Sequence, residues 1–427
     1  MVALKSMAVW PQLRSPRFAL LLLTAAICLI RARNQPSVDI TLGGTTAAIV
    51  PGDILLAVLA LACLAAILER RLGRDLWLAV GGAAVFSAIL VASAAANGSA
   101  ALVAGVKVTE LAVLGLGAAL FLRSAAQFEA LVDLLLAFTF VADVIGAEHF
   151  VTSGARQASF LGEHDFAALA TLPLLYGLAL VFTGERRARA ALAIAVGALG
   201  CMLGAALASL LGLYLGAVAL AVVAWRRRSL TPARVGVVAA VVAIVTAATL
   251  VIRAGDLGFI QAMFGKPEAR PGQYASSWSQ RLIYTYVGGR IFVDHPVLGT
   301  GWYGDLPPKT FAQYVPDARR RFPDQPANYF PPTDKPYIPQ QTWDEILYEL
   351  GVVGGAAMLL TLVGLARSAV RAARRAAGTV ASVPAAWLAA SIGALAGEGL
   401  FGGTPLAASF WLVAGVVLAL SSVAFVE

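Results

Sequence analysis

Long apolar runs, separated by short clusters of arginine, are the feature that most limits how this chain can fold. Hydrophobic residues make up 59% of its 427 residues and charged residues only 13%, and the mean hydropathy is +0.79. Soluble domains carry about a quarter charged residues. A backbone that crosses lipid must satisfy its own hydrogen bonds, and a helix of about 20 residues does so. The sequence therefore predicts an all-α polytopic membrane protein with about twelve transmembrane helices.

The arginine clusters predict which helix ends face the cytoplasm. The spans are predicted at about 17–35, within 40–68, at 76–95, 101–122, 128–144 and 166–182, twice within 190–225, and at 235–252, 346–365, 383–400 and 406–426. With the N-terminus inside, the loops after the even-numbered spans hold most of the clustered arginines, as the positive-inside rule requires. Three parts follow: spans one to nine in 1–253, an extracytoplasmic loop domain with an amphipathic helix in 254–344, and spans ten to twelve in 345–427.

The loop 254–344 differs in composition from the apolar blocks on either side. It holds seven of the ten tyrosines and twelve of the twenty prolines. Apolar residues at helical spacing predict an amphipathic helix over 279–293, with Arg281 and Arg290 on its polar side. Aromatic rings stack on sugars and arginines clamp phosphates, so the loop suits a carbohydrate and phosphate ligand. The alternative is a structured cap whose aromatic residues form its own core.

Charge and cysteine content exclude several other classes of protein. The net charge of +8 is concentrated in the short arginine clusters, so it does not indicate a nucleic-acid partner. The three cysteines lie inside apolar runs, and three histidines without a cysteine or carboxylate cluster do not make a metal site. We therefore expect no metal, no cofactor and no nucleic acid.

Three short segments resemble one known family. They are the run from Arg156 to Phe166, the run from Arg281 through Asp294-His295-Pro296-Val297-Leu298-Gly299-Thr300-Gly301, and the run Glu349-Leu350-Gly351-Val352-Val353-Gly354. Together they resemble the O-antigen ligase and O-antigen polymerase family of bacterial glycan-assembly enzymes. The resemblance implies a membrane-embedded glycosyltransferase of the GT-C type that is metal-independent and inverts the sugar. It also implies that Arg156 and Arg281 bind the donor phosphates and that Glu349 is a supporting carboxylate. Arg290, Gln340 and Gln341 are our further candidates for supporting positions.

The chain departs from that family at two places. The family's His-Asn pair, whose histidine is the proposed base, falls on Gln340-Gln341, and glutamine cannot take a proton at neutral pH. The family's arginine in span seven or eight is replaced by the run Ala206–Leu211. Glu163, His164 and Asp165 are therefore our candidate catalytic residues, since a histidine flanked by carboxylates suits general base catalysis. The alternative is that Asp165 caps a helix and His164 lies in the interface.

These observations lead to a functional expectation. We expect a multi-pass protein of the bacterial inner membrane whose active site faces away from the cytoplasm. Its partners would be a polyprenyl-linked glycan donor, a glycan or lipid acceptor and membrane lipids. Arg156 and Arg281 should converge on one outward cavity, with Glu163, His164 and Asp165 at its rim and Glu349 behind it. Two alternatives stay open: a transporter of lipid-linked glycans, and a relative of the family that binds glycan without catalysis.

Overall fold

The computed structural model describes residues 15–42, 44–69, 74–254, 276–337, 339–376, 378–400 and 404–422. Within these residues, nine helices are long and apolar enough to cross a membrane: Pro51–Glu69, Trp77–Ala96, Ser99–Phe121, Ala125–Ser153, Glu163–Thr183, Arg187–Gly204, Leu207–Arg226, Pro232–Ile252 and Thr342–Arg375. Three shorter apolar helices, Pro16–Cys28, Val383–Ala394 and Pro405–Ser421, lie where spans one, eleven and twelve are predicted. The all-α polytopic class is confirmed, and the count of twelve spans stays a prediction because these three are short for a crossing.

Successive helices run up and down, so the arginine-rich loops meet at one end of the bundle. Arg234 Nη1 donates to the Phe182 carbonyl at 2.8 Å, and Arg227 Nη2 donates to the Ala373 carbonyl at 2.6 Å. The loops after predicted spans six, eight and ten therefore contact one another, as the sequence predicts for loops on one side. We call this the arginine-rich end. The opposite end, formed by residues 31, 156–165, 205–206, 253 and 395–400, is called the mouth.

A small β-hairpin at the mouth is the main departure from an all-helical chain. Strands Val38–Leu42 and Thr45–Ile49 pair antiparallel, with Val38 opposite Ile49. Among the described residues this is one two-stranded sheet, which leaves the all-α class as predicted. The threonines and the β-branched residues Val38, Ile40 and Ile49 favour a strand. The helix begins only at Pro51, where Asp53 Oδ2 accepts a hydrogen bond from the Val50 amide at 2.9 Å.

The helix Glu163–Thr183 forms the centre of the bundle. Apart from its two ends, nearly every side chain on it is buried, although a surface helix would expose one face. It packs most extensively against the helix Arg187–Gly204. The turn between that helix and Leu207–Arg226 is at Ala205–Ala206, inside the apolar run 190–225 where two spans are predicted. The first residues of the central helix therefore lie within the mouth rather than on an outer surface.

The described part of the loop 254–344, called the inserted segment, is folded around its own aromatic core. The predicted helix over 279–293 is present as Ser276–Asp294, followed by the short helices Pro308–Phe311 and Val315–Arg321. The ring centroids of Tyr284 and Tyr337 lie 4.7 Å apart, and those of Phe311 and Tyr337 lie 4.6 Å apart. These rings are buried, so the structure favours a structured cap over a platform for sugars at these positions.

Two of the family-like segments lock together through their backbones. The helix Thr342–Arg375 is interrupted at Gly351, which has φ 62° and ψ −163°. The turn 296–301 satisfies the backbone groups released by this break: Thr300 N bonds Tyr348 O at 3.0 Å, Gly301 N bonds Glu349 O at 3.0 Å, and Val352 N bonds Pro296 O at 2.8 Å. A Cβ on Gly351 would lie 2.3 Å from the Val297 carbonyl oxygen. The close backbone contact therefore explains why glycine occurs in both segments. The same hydrogen bonds fix the inserted segment on the bundle.

Candidate active site

His164 lies at the mouth in the first turn of the central helix. Its Nε2 is 3.1 Å from Arg281 Nη2, a residue of the inserted segment. A guanidinium has donors and no acceptor, so Nε2 is the accepting nitrogen and the ring proton is on Nδ1. Nδ1 is buried and makes no hydrogen bond within the described part of the chain. In this arrangement His164 holds Arg281 in place, and its basic nitrogen is already occupied.

Four arginines from separate parts of the chain surround His164. They are Arg31, Arg156, Arg253 and Arg281, and all four act electrostatically on the imidazole. We call this set the arginine cluster. The structure thus brings together Arg156 and Arg281, as the sequence predicts, and adds two arginines that sequence reasoning missed. Arg31 lies with Arg33 near the end of predicted span one, and Arg253 lies just beyond the predicted span 235–252.

Carboxylates hold two members of the cluster in fixed positions. Arg156 Nη2 lies 3.2 Å from Glu163 Oε2. Arg31 Nη2 lies 2.8 Å from Asp165 Oδ2 and 3.3 Å from Glu398 Oε1. Asp165 is buried, and its Oδ1 also accepts from the backbone amide of Leu406 at 3.0 Å. Asp165 thus caps the start of the helix at Thr404–Ser422, and both it and Glu163 are paired with arginines.

Burial perturbs the ionisable groups of this cluster outside the spans. Burial raises the pKa of Glu398 to about 8; the Asp165 carboxylate adds to the rise, and Arg31 and Arg281 oppose it. Burial also lowers the pKa of Arg281, against the effect of Glu398, and the cations Arg253 and Arg156 lower it further. A guanidinium nevertheless stays charged at neutral pH. The mouth therefore holds desolvated positive charge, which an anionic ligand would neutralise.

The shifted carboxyl of Glu398 gives a testable dependence of stability on pH. Its pKa is higher in the folded protein than in the unfolded chain, where a glutamate titrates near about 4.3. The folded state therefore binds the proton more tightly, and stability falls as the pH rises through the window from about 4 to about 8. Glu398→Gln should remove this component, which is at most about 1.4 kcal/mol for each pH unit.

The measurement is thermal unfolding of both proteins in detergent between about pH 5 and about pH 8. We expect the variant to gain stability relative to the natural protein as the pH rises. A difference in melting temperature that stays constant over this range would contradict the raised pKa.

The two glutamines at the start of the helix Thr342–Arg375 lie beside the cluster. Gln341 Nε2 donates to Thr285 Oγ1 at 3.0 Å, and Thr285 Oγ1 donates to Asp344 Oδ2 at 3.0 Å. Gln340, the preceding residue, is half-buried. Gln341 therefore has a structural partner on the helix that carries Arg281, although it cannot itself act as a base.

Arg290 does not join the cluster, and its predicted supporting position is wrong. It lies nine residues beyond Arg281, which is two and a half turns of a helix with about 3.6 residues per turn. The two arginines therefore project from opposite faces of Ser276–Asp294. Arg290 Nε lies 3.5 Å from Asp317 Oδ2, and its side chain is 48% exposed.

Glu349 makes its contacts at the interlocked segments, and its position behind Arg156 and Arg281 stays a prediction. Its side chain is fully buried beneath the turn 296–301, and its backbone carbonyl accepts from Gly301 N at 3.0 Å. The charged groups that act on it are the carboxylates of Glu345 and Asp305.

The fold and site define a polytopic helical membrane protein with a buried cluster of cations at one end. Comparison with known protein families gives a match for part of the chain. Residues 190–359, about two-fifths of its length, match the family described as O-antigen ligase. The match confirms the resemblance to that family and supports a membrane enzyme of glycan assembly. It includes Arg253, Arg281 and the interlocked segments, whereas Arg31, Arg156 and His164 lie before it. No curated protein matches the chain.

Proposed function

We propose that the protein is a glycosyltransferase that acts outside the cytoplasm. It transfers or polymerises glycan from a polyprenyl-phosphate or polyprenyl-diphosphate donor to a glycan or lipid acceptor. The observation that carries this proposal is the convergence of Arg31, Arg156, Arg253 and Arg281 on His164. Arginine forks match phosphate oxygens in geometry and charge, and a partly desolvated site strengthens that interaction.

The charge of the cluster suits a phosphate-bearing donor. Four guanidiniums face the carboxylates of Glu163 and Asp165 and the carboxyl of Glu398. With a pKa of about 8, Glu398 is mostly protonated at neutral pH. The four guanidiniums outnumber the ionised carboxylates around them, including Asp344, which also acts on Arg281, so an anionic phosphate group would find an excess of positive charge.

The distribution of arginines supports an outward-facing site. The loops at the arginine-rich end carry the clustered arginines typical of cytoplasmic loops, and the mouth lies at the other end. Sugar nucleotides are confined to the cytoplasm, so an enzyme at the outer surface needs a donor that is already linked to lipid. The polyprenyl chain would remain in the bilayer while its phosphates reach the mouth.

Within this proposal, His164 positions Arg281 for the donor. His164→Ala removes the acceptor at 3.1 Å that fixes the guanidinium. We expect the KM for the donor to rise about tenfold, which is about 1.4 kcal/mol, with a smaller change in kcat. The measurement is the steady-state rate at varied donor concentration. If kcat instead falls by about a hundredfold or more with KM unchanged, His164 is the base, as the sequence first suggested.

Purified protein in proteoliposomes tests the proposed function directly. A labelled polyprenyl diphosphate-linked glycan is presented on the outer leaflet together with candidate acceptors, and the product is separated by mass. Formation of a glycosidic product supports the enzyme. Movement of the label between leaflets without product would favour a transporter, and binding without either would favour a relative that lacks catalysis.

A further inference from the structure

A chain of side-chain hydrogen bonds links the inserted segment to the bundle beside the arginine cluster. It runs from the Gln341 amide through the Thr285 hydroxyl to Asp344 Oδ2, with two bonds of 3.0 Å each. A hydroxyl carries one proton and two lone pairs, so Thr285 accepts from the amide and donates to the carboxylate at the same time. These two hydrogen bonds fix the orientation of the Asp344 carboxylate, and the side chains that make them are neutral.

The second oxygen of that carboxylate is free to accept a proton. Asp344 Oδ1 is buried and has no side-chain partner among the described residues. The carboxylates of Glu163 and Asp165 differ, because each is paired with an arginine. An arginine partner stabilises the charged form of a carboxylate and weakens it as a base, whereas the neutral partners of Asp344 have a smaller effect.

The spacing along one helix places Asp344 at a useful distance from the phosphate-binding arginine. Arg281 and Thr285 are four residues apart on Ser276–Asp294, so they are neighbours on one face, about one turn of 5.4 Å apart. Asp344 is bonded to Thr285 and also acts electrostatically on Arg281. These contacts place Asp344 beside the helix face that carries the proposed phosphate-binding arginine.

We propose that Asp344 is the general base that activates the acceptor hydroxyl. This proposal rests on the proposed function. Asp344 Oδ1 takes the hydroxyl proton while the acceptor oxygen bonds to the anomeric carbon of the donor sugar. The bond from that carbon to the phosphate oxygen breaks, and its electron pair leaves with the lipid diphosphate, whose added negative charge Arg281 and Arg156 stabilise. The proton then passes from Asp344 to water, which restores the carboxylate. Gln341 and Thr285 are positioning residues in this scheme.

Asp344→Asn tests the proposal with the purified full chain in proteoliposomes. Asparagine keeps the size and can still accept from Thr285, but it cannot take up a proton. We expect kcat to fall by about 10²- to 10⁴-fold while the KM for the donor changes less than about threefold. The decline of kcat at acid pH should disappear in the variant, because that decline reports protonation of the base. Asp334→Asn, an exposed aspartate of the inserted segment, is the matched control and should turn over as the natural protein does.

Binding of polyprenyl diphosphate, the leaving group, is measured in parallel. Loss of turnover with unchanged binding supports Asp344 as the base. Turnover within about threefold of the natural protein overturns the proposal and leaves the proposed function standing. Loss of turnover together with loss of binding also overturns it, because that pattern indicates a structural role. If the natural protein binds polyprenyl diphosphate but transfers no glycan, the proposed function is overturned. The assignment of Asp344 as the general base then fails as well.

Discussion

Arg281→Ala is expected to lower the rate of glycan transfer by about a hundredfold or more, while the protein stays folded and inserted. Arg281 is the member of the cluster that the inserted segment contributes, and it contacts His164 at 3.1 Å. Removing a charge-assisted contact to a developing phosphate charge costs a few kcal/mol of transition-state binding, and each 1.36 kcal/mol is about a factor of ten in rate. Arg281→Lys keeps the positive charge but loses the paired N–H donors of the guanidinium. Its transfer rate should therefore lie between those of the natural protein and Arg281→Ala.

Arg290→Ala is the matched control for this experiment. Arg290 is on the same helix, but its 3.5 Å contact with Asp317 is on the outer surface of the inserted segment. An exposed ion pair contributes at most about 1 kcal/mol, so transfer should change by less than about threefold. Melting temperatures of both variants show whether either is misfolded. Equal losses of activity in a folded Arg281→Ala and a folded Arg290→Ala would contradict a site on only one face of the helix.

Gly351→Ala is expected to destabilise the protein by at least about 3 kcal/mol. The residue has φ 62° and ψ −163°, a conformation that is essentially limited to glycine, and a Cβ would lie 2.3 Å from a backbone carbonyl oxygen of the turn 296–301. Relief of this clash requires the turn to move and to give up its hydrogen bonds with the broken helix. We expect the melting temperature in detergent to fall by about 5–10 °C.

Gly289→Ala provides the opposite case within the inserted segment. Gly289 is an exposed helical residue with nothing within 4 Å of the position a Cβ would take. Alanine there should stabilise the protein by about 0.5–1 kcal/mol, because glycine costs that much in a helix interior. If Gly351→Ala melts at the same temperature as the natural protein, the backbone lock between the two segments is not important for stability.

Apolar length and arginine position predicted the parts of the fold that depend on local sequence. Runs of about 20 apolar residues are helical because lipid leaves no other way to satisfy the backbone. The helix Ser276–Asp294 follows from apolar residues at helical spacing, and the packing of its partners was not needed to find it. The hairpin 38–49 was missed because a few strand-forming residues beside a long apolar run resemble the start of that run.

The site was predictable only where a residue and its motif lie together in the chain. Arg156 and Arg281 were found through their segments. Arg31 and Arg253 reach His164 only through the packing of distant helices, which no local pattern reports. The amphipathic pattern predicts Arg281 and Arg290 on one polar side of the helix. Their spacing of nine residues instead places the two side chains on opposite faces. Asp344 lies outside the family-like segments, and its bond to Thr285 joins two separate parts of the chain, which no local pattern reports.

A structure of the protein with bound polyprenyl diphosphate-linked glycan tests the central claim most directly. A non-transferable analogue of the donor, imaged by electron cryomicroscopy in a lipid nanodisc, would locate the phosphates. We expect phosphate oxygens at about 2.7–3.0 Å from guanidinium nitrogens of Arg156 and Arg281, with the sugar toward Asp344. Diphosphate density at the arginine-rich end, for example between Arg226 and Arg374, or any position that neither Arg156 nor Arg281 contacts, would contradict this account.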